Sequence, residues 1–104
     1  MAEKNISEMI EAHIDFFKDI SKAFEKLQGR EGMIMCRSIN KTIDDIERKL
    51  RSEDINARER TKILRGLREG GSDMRMFLPL LPVEEALRLM TRLEALVSLR
   101  KSST

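Results

Sequence analysis

Apolar residues recur at steps of three or four positions along the first part of the chain. The steps alternate regularly when a histidine is counted among them: Ile6, Ile10, His13, Phe17, Ile20, Phe24 and Leu27. This spacing is typical of a helix that buries one face against another helix. It predicts a first helix over residues 5–28, and Met9, Ile14 and Phe16 widen its apolar face. Asn5 or Ser7 is expected to cap this helix, and Gly29 is expected to end it.

The same spacing resumes after a short break and predicts a second helix over residues 32–51. Its apolar positions are Cys36, Ile39, Ile43, Ile46 and Leu50. The opposite face carries mainly charged residues, as a solvated helix face does. Because the connection is only the sequence GREG, the two helices are expected to form an antiparallel hairpin.

A third helix is predicted over residues 54–69, with Ser52 and Asp54 as candidate caps. Its apolar positions are few: Ile55, Ile63, Leu64 and Leu67. So thin an apolar face does not stabilise a helix alone, and the third helix is therefore expected to pack on the hairpin.

The last helix is predicted over residues 82–100. Pro82 suits a first-turn position, and Glu84 and Glu85 complement the partial positive charge of a helix N-terminus. Apolar residues from Val83 onward occupy more than half of the helix circumference, so this helix is expected to be covered on two sides.

A continuous apolar run, MFLPLLP, precedes the last helix and follows the break EGGSD. Pro79 and Pro82 bias Leu78 and Leu81 towards extended backbone, so residues 76–82 are predicted to form an ordered, extended strap. Two roles remain open for its side chains. They either close the open end of the core or form a docking or dimer surface.

These elements predict an all-α fold: a small four-helix bundle built on an antiparallel helical hairpin, with an extended, proline-containing strap before the last helix. A length of 104 residues fits one domain, residues 1–104. Strand-forming runs of valine, threonine, tyrosine and tryptophan are absent from the sequence.

Charge and cysteine content place few constraints on function. The net charge is only +2, and the basic surplus, mostly arginine, lies after residue 28. A lone cysteine excludes an intrachain disulfide and favours a reducing compartment. The sequence shows neither a signal-peptide pattern nor an apolar run long enough for a bilayer. A cytoplasmic protein without a membrane partner is therefore expected.

Candidate chemistry is sparse. His13 is the only histidine and Cys36 the only cysteine, and the pattern places them on different helices. We expect His13 to be a partly buried residue hydrogen-bonded across the hairpin, and Cys36 to be a shielded residue rather than a reactive thiol. The sequence therefore predicts no catalytic site, no metal site and no cofactor, and indicates that the protein is not an enzyme.

The apolar run and the abundance of methionine favour protein binding. Flexible thioethers suit adaptable binding surfaces, and four of the seven methionines lie near predicted helix ends. The predicted partner-binding residues are Met74, Met76, Phe77, Leu78, Leu80, Leu81, Leu87 and Met90. The predicted function is a small non-enzymatic adaptor, chaperone or inhibitor. Its partner is another protein of unknown identity, with a homodimer as a further option.

The alternative prediction is a nucleic-acid-binding transcriptional regulator. Arg58, Lys62 and Arg65 share one face of the predicted third helix, where they are placed to meet phosphates. Acidic residues dilute this cluster, and no aromatic residue nearby is available to stack on a base. This alternative is therefore weaker than protein binding.

Overall fold

The computed structural model describes residues 2–52 and 55–102 of the chain. Four α-helices account for most of them: α1 (Ala2–Lys26), α2 (Arg30–Leu50), α3 (Ala57–Asp73) and α4 (Val83–Ser102). Two short 3₁₀ turns, Met74–Met76 and Leu78–Leu80, connect α3 to α4. No strand occurs within the described residues, and the predicted class, a small all-α bundle, is confirmed.

Helix α1 lies at the centre of the bundle, because each of the other three helices packs against it. Its buried apolar residues are Met9, Ile10, Ile14, Phe16, Phe17, Ile20, Ala23 and Phe24. They cover more of the helix than a single stripe, as contact on several sides requires. The Cα atoms span 41 × 28 × 15 Å, and the smallest dimension corresponds to two layers of helices.

Contacts between α1 and α2 run in opposite order along the two helices. Lys18 of α1 pairs with Glu47 of α2 at 3.3 Å. Further along α1, the Ser21 hydroxyl donates to Asn40, which lies earlier in α2, at 2.6 Å. Residues later in α1 therefore meet residues earlier in α2.

Two glycines shape the turn between α1 and α2. Gly29 has a φ of 117°, a conformation that disfavours side chains with a Cβ. Gly32 is buried in the first turn of α2, where a Cβ would lie 2.7 Å from the Phe24 carbonyl oxygen and 2.8 Å from that of Leu27. The close approach of α2 to the end of α1 therefore requires glycine at position 32.

Helix α3 differs from its predicted span at both ends. It begins after Asn56, whose side chain accepts a hydrogen bond from the Glu59 backbone N–H at 2.9 Å. Asn56 is thus the N-cap rather than Ser52, and Asp54 lies outside the described residues. The helix continues to Asp73 instead of ending at residue 69.

The predicted break at Gly70 and Gly71 is wrong, because α3 continues through both glycines to Asp73. A Cβ at position 70 would lie 3.2 Å from the Phe17 ring, and one at position 71 would lie 3.5 Å from a Leu93 methyl group. At position 70, packing against Phe17 of α1 therefore outweighs the low helix propensity of glycine, whereas the approach at position 71 is an ordinary van der Waals contact that an alanine would also make.

The prediction of an extended strap is also wrong. Phe77 N–H donates to the Met74 carbonyl at 2.9 Å, and Leu81 N–H donates to the Leu78 carbonyl at 3.0 Å, which closes two 3₁₀ turns. Pro79 occupies one of the first two positions of the second turn. A backbone N–H at that position has no partner within the turn, so proline loses no hydrogen bond there. Leu81, directly before Pro82, is extended.

Candidate partner-binding surfaces

The 3₁₀ geometry divides the predicted partner-binding residues between the core and the surface. Met74, Leu78 and Leu81 have relative exposures of 6%, 0% and 4%. Their assignment to a binding surface is therefore wrong, because steps of four and three positions turn all three side chains inward. Met90 is half-buried and packs against the same core, so it presents little surface to a partner.

The other four predicted residues remain exposed apolar side chains. Their relative exposures are 79% for Met76, 38% for Phe77, 49% for Leu80 and 62% for Leu87. Val83, which the sequence analysis did not select, is 73% exposed. These five residues are termed the apolar patch.

The apolar patch spans three consecutive elements, the two 3₁₀ turns and α4, and each packs on the next. The second 3₁₀ turn, which contains Leu80, packs against α4, and Val83 and Leu87 lie one helical turn apart on α4. The expectation that α4 is covered on two sides is thus wrong for its first turns. The four-residue spacing from Leu87 is the sequence signal that could have added Val83 to the patch.

The three basic residues of the alternative site are all exposed on α3. Arg58, Lys62 and Arg65 form no ion pair with any residue in the described part of the chain. Glu59 and Glu69 are exposed on the same helix, so the surface is mixed in sign.

A groove between α2 and α3 is a feature that the sequence analysis missed. Both helices pack against α1, yet they make little contact with each other. The resulting space has a volume of about 500 Å³, which lies within the range of ligand-binding clefts. Phe17 of α1 forms its floor, with Ile43 of α2 and Leu67 of α3 beside it.

The upper walls of the groove are apolar and only partly covered. Met35 and Ile46 line it from α2, and Ile63 lines it from α3; all three are half-buried. Gly66 and Gly70 also lie on the α3 wall. The spacing of these two glycines, which places them on one helix face, is the sequence signal that could have indicated the groove.

The two ends of the groove carry opposite charges. Lys49 near the end of α2 and Lys62 near the start of α3 line it, and the short connection between these helices places both at one end. Asp73 lines the other end, beside Met74. Between these ends the lining is mainly apolar, with Ser38 and Thr42 of α2 as polar exceptions. The groove therefore has one basic end and one acidic end.

An ion-pair cluster fastens α4 to α1 near the apolar patch. Arg88 donates to both carboxylate oxygens of Asp19, at 2.6 and 2.9 Å, and also pairs with Glu85. Arg92 pairs with Asp19 and lies over the Phe16 ring. The Arg88 hydrogen bonds, aided by Arg92, hold the pKa of Asp19 below its ordinary value. By holding one face of α4 against α1, this cluster determines which face of α4 is exposed to solvent.

His13 is buried, and its hydrogen bond differs from the one predicted. Its Nδ1 lies 2.7 Å from the Met9 carbonyl oxygen, within α1 rather than across the hairpin. A carbonyl oxygen only accepts, so Nδ1 carries the proton in this contact. Burial lowers the pKa of His13, and the charge of Arg68 lowers it further, against the opposing effect of the Met9 carbonyl.

The lowered pKa of His13 predicts that the protein loses stability in mild acid. The unfolded chain takes up a proton near pH 6.5, the ordinary value, whereas the folded chain does so only at lower pH. The free energy of unfolding should therefore be unaffected by His13 above that pH and fall as the pH drops below it. Thermal melting between pH 7.5 and 5.5 measures this loss, and His13→Gln is expected to abolish most of it. A wild-type melting temperature that stays constant across this range would contradict the prediction.

Cys36 is half-buried rather than fully shielded. The Ser21 hydroxyl and the Asn40 amide contact its sulfur at 3.4 and 3.5 Å. No group of three histidine, cysteine, aspartate or glutamate side chains in the described ranges is arranged to hold a metal ion.

In the part of the chain that the structure describes, every helix is too short or too polar to cross a bilayer. No protein-family model matches the sequence, and the comparisons with curated proteins and with solved structures found no match. A function for this protein is therefore inferred from the surfaces described above.

Proposed function

We propose that this protein is a cytoplasmic, non-enzymatic binding module of the adaptor, chaperone or inhibitor class. It docks another protein through the apolar patch. The observation that carries the proposal is the exposure of five large apolar side chains within the twelve positions from Met76 to Leu87.

The composition of the apolar patch suits a protein interface. Covering an exposed leucine or methionine side chain contributes about 1.5–3 kcal/mol at full burial. Met76 adds a flexible thioether that adapts to different partner shapes. Arg75 and Glu84 are exposed nearby in the sequence, and charged residues around an apolar centre are typical of interfaces.

The partner proposed here is a different protein, and a second copy of the chain is the competing occupant. A homodimer through the apolar patch would place the same residues on both sides of a two-fold axis. Solution mass separates the two cases, because a homodimer forms without any added partner.

The test compares two pairs of exposed apolar residues. The patch variant carries Met76→Ser and Leu87→Ser. The control carries Met33→Ser and Ile34→Ser, which removes similarly exposed side chains, 54% and 57%, from α2. Both variants should melt close to wild type, since surface changes typically alter stability by about 0.5 kcal/mol or less.

Capture from the native cell with wild-type and variant proteins is the measurement. A protein recovered by wild type and by the control, but lost by the patch variant, is the expected result. Equal recovery by all three would contradict the proposal. A wild-type dimer that the patch variant dissociates would instead assign the patch to self-association.

The second candidate function is nucleic-acid binding by α3, favoured by the exposure of Arg58, Lys62 and Arg65 without carboxylate partners among the described residues. Recovery of DNA or RNA in the same capture would favour it. Its affinity for duplex DNA would fall steeply with salt, because neutralised phosphates release counterions. Changing all three residues to alanine would then reduce both the affinity and the salt dependence.

A further inference from the structure

The groove between α2 and α3 is a surface separate from the apolar patch. We propose that it binds one amphipathic α-helix of a partner protein. The carboxyl end of that helix lies between Lys49 and Lys62, and its amino end lies at Asp73. This adds a second docking site to the protein-binding role proposed above.

The dimensions of the groove match one short helix. Along α2 it extends from Met35 to Lys49, and at 1.5 Å per residue this is a length of about 21 Å. A helix of about four turns covers that distance. The α2 and α3 walls both rest on α1 and leave their facing sides without a helix between them.

The apolar surface left open in the groove matches the apolar face of such a helix. Its floor is already buried, whereas Met35, Ile46 and Ile63 are only partly buried on the walls. An amphipathic helix covers side chains of this kind with residues spaced three and four apart and leaves its polar face in water.

Gly66 gives the most specific indication that another backbone approaches. A Cβ at this position would meet nothing within 4 Å, so the packing of the chain itself does not require glycine there. Glycine nevertheless weakens a helix relative to alanine. A partner helix that packs closely against the α3 backbone would explain why position 66 carries no side chain.

The charges at the groove ends set the direction of the bound helix. A helix carries partial negative charge at its carboxyl end and partial positive charge at its amino end. Lys49 and Lys62 complement the first, and Asp73 complements the second. Acidic side chains in the last turn of the partner helix would strengthen the contact with the lysines.

Two alternative occupants would explain fewer features of the groove. A second copy inserting its apolar patch would make a head-to-tail contact, which leads to rings or filaments rather than a closed pair. An amphiphile with one hydrocarbon chain would place its head group at Lys49 and Lys62 and its hydrocarbon chain along the apolar walls. It would make no use of Asp73 or of the missing side chain at Gly66.

The experiment uses a synthetic helical peptide and the full chain. The peptide has about 15 residues, the length that spans the groove. It carries leucine and alanine on one face, lysine in its first turn and glutamate in its last, with a fluorescein label for anisotropy titration. Saturable binding to the wild-type protein is expected. A peptide of the same composition with scattered apolar residues is expected to bind much more weakly.

Two matched pairs of protein variants locate the binding. Gly66→Leu fills the groove and is expected to raise the Kd about tenfold or more, whereas Arg65→Leu adds the same side chain outside the groove and leaves the Kd nearly unchanged. Lys62→Glu is expected to weaken binding more than Arg58→Glu, which makes the same charge change away from the groove. Thermal melting establishes that each variant is folded.

Several results would overturn the proposal. They are no binding to the wild-type protein at millimolar concentration, equal Kd values for the Gly66→Leu and Arg65→Leu variants, and equal binding of the scattered peptide. The variant with Met76→Ser and Leu87→Ser leaves the groove intact and is expected to bind the peptide like wild type. The two tests therefore distinguish a groove that does not bind the peptide from an apolar patch that does not bind a partner protein.

Discussion

Replacing Leu78 with alanine is expected to lower the free energy of unfolding by about 2–5 kcal/mol, because the change leaves a cavity in the core. Leu78 is fully buried in the second 3₁₀ turn. A loss of this size is a large part of the stability of a small domain. Urea denaturation followed by circular dichroism measures it, with the slope m expected to stay constant.

Leu80→Ala is the matched control, since it removes the same atoms two positions away in the same turn. Leu80 is 49% exposed, so its replacement should cost much less than that of Leu78. Equal losses for the two variants would mean that the 3₁₀ geometry does not separate core from surface in this segment. A small loss for Leu78→Ala would show that the segment does not close the core.

Gly32→Ala is expected to destabilise the protein although alanine favours helices. The added Cβ would lie under 3 Å from the Phe24 and Leu27 carbonyl oxygens, and backbone atoms cannot rotate away as a side chain can. Overpacking of this kind costs roughly 1–3 kcal/mol or more, which exceeds the gain in helix propensity of at most about 1 kcal/mol. A lower midpoint of urea denaturation is the expected result.

The same substitution at Gly66 should have the opposite sign. No atom lies within 4 Å of a Cβ at that position, so only the propensity gain of about 1 kcal/mol or less remains. Stabilisation by both alanine variants would show that α2 moves away from α1 at little cost. Destabilisation by both would show that position 66 is more crowded than the structure indicates.

The helices were predictable from the sequence where local periodicity decides the structure. The apolar face of α1 is an example. Apolar residues spaced regularly by three and four positions lie on one side of a helix, whereas in a strand they would fall on both faces. The end of α3 was not predictable in the same way. Gly70 and Gly71 resemble a break in isolation, and only the distant residue Phe17, which leaves little room for a Cβ at position 70, gives Gly70 a reason to lie within a helix.

The candidate binding residues were predictable as a segment but not as individual side chains. An apolar run containing two prolines indicates an unusual segment, whereas the division between Leu78 and Leu80 depends on whether the backbone is extended or 3₁₀. Backbone hydrogen bonds to Met74 and Leu78 decide that question. The groove exists because α2 and α3 make little contact with each other. The spacing of apolar residues does not predict such a gap, and the pair Gly66 and Gly70 on the α3 wall is its one local signal.

The central position of α1 has a consequence for the order of folding during synthesis. Its side-chain hydrogen bonds with α2 join residues 15 to 29 positions apart, from Ser21 with Cys36 to Lys18 with Glu47. Its hydrogen bonds with α4 join residues 69 to 73 positions apart. The α1–α2 pair can therefore form on the ribosome well before Arg92 emerges to cover Phe16. At about 5–20 residues per second, one apolar side of α1 stays uncovered for roughly 2–8 s, and exposed surface of this kind is prone to aggregation until the last helix docks.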